Sequence, residues 1–69
     1  MYRNLIAEMA RNDVKRADIA KAIGCSYNHT REKINGKFSF EWDEACIIHE
    51  QFFPHLDIKY LFEKTEEVS

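Results

Sequence analysis

Lys15 to Lys37 reads KRADIAKAIGCSYNHTREKINGK, and its punctuation decides the fold. Ile19, Ala20 and Ile23 fall on one helical stripe, Gly24 interrupts it, and Ser26 stands before a second helix that runs to Asn35-Gly36. Each residue type has a mechanical reason for its place. Ala20 is small enough to let two helices cross closely through a short turn. Gly24 is the natural site for a positive φ, which costs an L-residue roughly 1–2 kcal/mol and glycine almost nothing. The Ser26 hydroxyl is placed to accept from a backbone N–H in the first turn of the second helix, and Gly36 suits a left-handed C-terminal cap.

This order of helix, glycine turn and helix is that of the helix-turn-helix, whose second helix is shaped for the major groove of duplex DNA. The flanking segments are helical too. Tyr2, Leu5, Ile6, Met9 and Ala10 form an amphipathic stripe that ends at the turn formers Asn12 and Asp13, with Val14 packing inward. Trp42, Ala45, Ile48 or His49, and Phe52 recur at helical spacing until Pro54, and Ile58, Leu61 and Phe62 mark a short fifth helix. No segment alternates as a strand would. The expected fold is therefore all-α, five helices in one domain over 1–69, with the helix-turn-helix at about 15–36, further helices at about 41–63 and a frayed tail at 64–69.

Size and charge narrow the function. A chain of 69 residues buries only about 60% of the surface its unfolded form exposes, so a large catalytic cleft or small-molecule site is not expected. No nucleophile–base pair, paired-carboxylate cleft or phosphate-cradling glycine loop is recognisable, and no enzyme activity is expected. No apolar run approaches the ~20 residues of a membrane span, and the N-terminal stretch lacks a signal-peptide apolar core, so a cytoplasmic location is expected. The net charge of −2 argues against a polyanionic partner until its distribution is read. Arg11, Lys15, Arg16, Lys21, Arg31, Lys33 and Lys37 outweigh Asp13, Asp18 and Glu32 over the motif. From Phe38 onward Lys59 and Lys64 face Glu41, Asp43, Glu44, Glu50, Asp57, Glu63, Glu66 and Glu67. A basic half followed by an acidic half would orient the domain on DNA.

With IAKAIGCS, INGK and the trailing FSFEWDEACIIHEQFFP and IKYLFEK, nearly the whole chain resembles the Cro and phage-repressor type helix-turn-helix regulators, the xenobiotic-response-element family. The resemblance implies a lambda-repressor-like domain in which Tyr27, Asn28, Arg31 and Glu32 read base edges. Asn28 would pair with adenine, Arg31 with guanine and Glu32 with a cytosine amino group, at about 1–3 kcal/mol of discrimination each. Arg16, Lys33, Asn35 and Lys37 would hold phosphates, which fixes register without reading sequence. Ala20, Gly24 and Ser26 keep their structural roles. The partner implied is a palindromic duplex operator bound by a homodimer, with the dimer surface in the fourth and fifth helices and the FFP segment.

Three features depart from the pattern. Thr30 stands where the family carries valine or isoleucine, and a buried threonine there needs a hydrogen bond, expected to a carbonyl one turn back. Lys15 replaces a capping serine or threonine. The overall acidity favours the alternative that the fold serves as a protein-interaction module, an adaptor, antitoxin-like partner or antirepressor. Cys25-x-x-x-His29 and Cys46-x-x-His49 supply two cysteines and two histidines, but free thiols behaving as small hydrophobes are the preferred account, and no metal or cofactor is expected.

Overall fold

The computed structural model describes residues 1–64. Among them the secondary structure is entirely helical: α1 (Arg3–Arg11), α2 (Arg16–Ile23), α3 (Tyr27–Asn35), α4 (Trp42–Phe52) and α5 (Ile58–Leu61). The tail expected at 64–69 lies, from residue 65 on, outside the described residues. Packing makes α2 the hub. It touches both α3 and α4, while α5 closes the other side against α1 and α4.

The core takes residues from every helix. Leu5, Ile19, Ile34, Ile48, Phe53 and Leu61 are wholly excluded from solvent, with Tyr2 and Met9 nearly so. Beside them Tyr2, Phe40 and Phe62 meet as a ring triad, centroids 5.2–6.0 Å apart, and the Tyr2 hydroxyl accepts the Phe40 backbone N–H at 3.2 Å. Edge and tilted aromatic contacts of this kind add about 0.5–1.5 kcal/mol beyond the area they bury. Pro54 stops α4 as expected. The residue before a proline is pushed away from helical backbone, and Phe53 has left it at φ −136°.

Two aspects of the helical stripes differ from the sequence reading. On α1, Ala10 is exposed and Glu8 is buried instead. Glu8 is tolerated because Arg11 and the Tyr60 hydroxyl both donate to its carboxylate at 2.9 Å. On α4, Trp42 is 69% exposed and takes no part in the core. Helical spacing locates a stripe but not its width. Trp42 is the first helical residue, beyond the reach of the helices that cover Ala45 and Ile48.

Both glycines of the motif are left-handed, Gly24 at φ 73° and Gly36 at φ 95°. At each helix end the two N–H groups that follow fold back onto the last turn. The Cys25 N–H reaches the Ala20 carbonyl at 3.1 Å, and the Lys37 N–H reaches Glu32 at 2.9 Å with Gly36 bonding Lys33 at 3.1 Å. This satisfies carbonyls that would otherwise be orphaned. A side chain at Gly24 would meet open space, so its cost is conformational alone. Gly24→Val is expected to lower stability by about 2 kcal/mol, slightly above the ordinary left-handed penalty because the side chain is β-branched. An unchanged urea midpoint would contradict the left-handed turn.

Candidate functional site

The turn from Gly24 to Ser26 fixes how α3 is presented. Ser26 accepts the His29 N–H at 3.2 Å, capping α3 as the sequence implies. Ala20 is buried. Lys15, which has no acceptor to offer, is compensated from the other side, because its own N–H donates to Asp18 at 2.9 Å. Asp13 and the Lys15 ammonium pair across the turn at 2.9 Å. A hydrogen bond and the charge of Lys15 hold the Asp13 carboxyl below its usual range, and Asp13 raises Lys15 in return.

Thr30, Lys33 and Ile34 turn inward on α3. At 3.6 residues per turn, Tyr27, Arg31, Asn35, Asn28 and Glu32 then occupy a continuous arc of about 140° on the outer side. Of these, Tyr27, Asn28, Arg31 and Asn35 are exposed and Glu32 half-exposed. Arg16 reaches the same surface from α2: it and Tyr27 share the rim of an open groove of about 500 Å3, floored by Ile6, Met9 and Val14. Lys37 ion-pairs with Glu32 at 3.1 Å and lies over the Phe38 ring at 5.8 Å. The arc thus carries two amides, a guanidinium and a phenol, with Glu32 neutralised by its neighbour.

Lys33 does not belong to this surface. It is buried, with Nζ 2.6 Å from both oxygens of Glu44, which removes it from the expected phosphate contacts. The physical reason is its place on the helix. It lies one residue before Ile34, on the inner side that the Glu44 side chain of α4 reaches, and a buried ammonium is stable only when paired. Burial pushes the Glu44 carboxyl up, but it is outweighed by the Lys33 hydrogen bond, the Glu41 backbone N–H, the Lys33 charge and the Cys25 thiol, so the net shift is downward. The Cys25 thiol donates to Glu44 at 3.5 Å. Burial and that bond raise it above the ordinary thiol range, the opposite of what an activated nucleophile needs.

Thr30 also departs from expectation. It is wholly buried, yet among the described residues Oγ1 has no hydrogen-bond partner, while its backbone N–H bonds the Ser26 carbonyl at 3.0 Å. An unsatisfied buried hydroxyl costs about 1–3 kcal/mol. Thr30→Val keeps the shape and removes that cost, so it should raise stability by about 1 kcal/mol, read as a higher urea midpoint with an unchanged slope. A lower midpoint would mean that the hydroxyl finds a partner in solution.

The remaining titratable groups do not converge. His49 Nε2 is 2.6 Å from the Leu56 carbonyl, both cysteines are free, and no three metal-ligating side chains gather among the described residues. Among these residues no helix is long and apolar enough to cross a membrane. His29 and Phe38, which sequence reading left out of the site, stack on its margin with centroids 5.3 Å apart and planes 14° from parallel. Their only sequence signal is that Phe38 follows Lys37. Comparison with family models, with curated proteins and with solved structures finds no match to the chain.

Proposed function

We propose that the α2–α3 pair is a helix-turn-helix in a lambda-repressor-like domain, and that the chain is a sequence-specific, DNA-binding transcriptional regulator of the phage-repressor type. The observation that carries this reading is the outer arc of α3. Tyr27, Asn28, Arg31 and Asn35 all leave the core and face solvent. Amide and guanidinium groups on one helix face are the donors and acceptors that major-groove base edges match. Arg16 and Lys37 flank the arc as phosphate contacts. One such helix spans few base pairs, so a homodimer on a palindrome with half-sites about 34 Å apart supplies the specificity. Occupancy of an operator would repress without a ligand, cofactor or catalytic step, in the cytoplasm where the DNA lies.

The withdrawal of Lys33 into the Glu44 pair and the neutralising of Lys37 by Glu32 favour a second reading. In that reading the same fold is a protein-interaction module, an adaptor, antitoxin-like partner or antirepressor without DNA affinity. Selection of bound sites from a random duplex library at near-physiological salt separates the two. A recovered palindrome supports the regulator. No enrichment, with the protein folded and helical, transfers the proposal to the interaction module.

A further inference from the structure

The outer side of α4 carries groups that the fold does not use and that the proposed DNA contact does not involve. Trp42 and Ile47 are 69% and 39% exposed. By the helical repeat they bound an arc of about 140°, with Cys46, Glu50 and Asp43 between them. Asp43 and Glu50 are exposed and, among the described residues, neither has an ion-pair partner. A large indole beside unpaired carboxylates on a helix face is an anchor site flanked by charge.

The occupant follows from the charge. A two-fold contact with a second copy of this chain, the kind a homodimer on a palindrome uses, would set this acidic patch against itself, which like-charge repulsion disfavours. DNA is repelled for the same reason. We propose that the α4 face docks a basic amphipathic segment of another protein, whose apolar side covers Trp42 and Ile47 while lysines or arginines pair with Asp43 and Glu50. This surface is independent of the α3 arc.

Trp42 is the only tryptophan, so the protein reports on its own face. The probe is a helical peptide of leucine and lysine at amphipathic spacing, free of tryptophan and tyrosine, titrated while Trp42 emission is followed. A saturable blue shift is expected, weakening as salt rises from about 0.05 to 0.3 M. Asp43→Lys should weaken capture by roughly fivefold and its combination with Glu50→Lys by roughly tenfold, whereas Glu63→Lys, the same charge change as Asp43→Lys but outside α4, should leave it within about twofold. All three sites are exposed, and circular dichroism verifies that the variants stay helical. Four results would overturn the proposal: no saturable shift, an equal shift with a leucine–glutamate peptide, equal weakening by Glu63→Lys, or a shift on concentrating the protein alone. The last would assign the face to a second copy.

Discussion

Glu44→Ala should unfold a large part of this protein at room temperature. The substitution leaves the Lys33 ammonium, whose side chain is 7% exposed, without its counter-charge. Removing one member of a buried pair costs about 3–5 kcal/mol. It also takes an acceptor from the Glu41 N–H, bonded to Glu44 at 3.0 Å, and from the Cys25 thiol at 3.5 Å. A single small core seldom supplies more than about 3–5 kcal/mol in total, so the loss is comparable with the whole stability. Urea unfolding should place the midpoint near zero denaturant. The double replacement Lys33→Met with Glu44→Leu should restore much of it, because apolar groups of similar volume need no pairing. A Glu44→Ala midpoint close to the parent's would show that the pair is solvated and contributes little.

The same pair sets the acid limit. The folded-state value of Glu44 is depressed, so its contribution is fully present above the unfolded carboxyl value of about 4.3 and is lost as pH falls below that through the folded value. Thermal unfolding should be flat in this respect from neutral pH to about 5 and decline steeply toward 3. In the Lys33→Met with Glu44→Leu background, which lacks the pair without leaving a bare charge, the decline should be shallower. Equal declines in the two proteins would place the acid sensitivity elsewhere.

The largest functional effect is expected at Arg31. It stands in the middle of the α3 arc and is exposed, and the bidentate geometry of its guanidinium suits guanine O6 and N7. Under the proposed function, Arg31→Ala should cost about 1–3 kcal/mol against the selected site and relax the preference at one base pair, a tenfold to hundredfold loss of discrimination. Lys37→Ala should weaken all duplex sequences alike and flatten the salt dependence by about one counterion. It also frees Glu32, which Lys37 holds at 3.1 Å, so the variant gains a bare carboxylate on the arc. If Arg31→Ala lowers affinity uniformly while specificity stays intact, Arg31 touches phosphate and another residue reads the base.

The local rules of the chain were legible before any fold was seen. Gly24 and Gly36 turn the backbone left-handed because only glycine does so freely. Ser26 caps because its hydroxyl precedes a helix, and α4 stops ahead of Pro54 because proline restricts the residue before it. The arc of Tyr27, Asn28 and Arg31 was legible for the same reason: helical spacing places residues on a common face once the helix is known. All of these are properties of a few neighbouring residues.

Contacts between distant segments were not legible. Lys33 had the charge and the position of a phosphate ligand, and only the packing of α4 against α2 brings Glu44 to it across 11 residues of sequence. Trp42 has the spacing of a core residue, yet whether a neighbour covers it depends on where α4 begins relative to the other helices. Thr30 is buried without a hydroxyl partner among the described residues, and no local pattern records that, because a partner would have to come from the tertiary surroundings. Spacing and turn chemistry determined the helices and the turns between them. Which charges face solvent and which are sealed inside was decided by tertiary packing, because the cost of burying a charge depends on the partner that long-range contacts deliver.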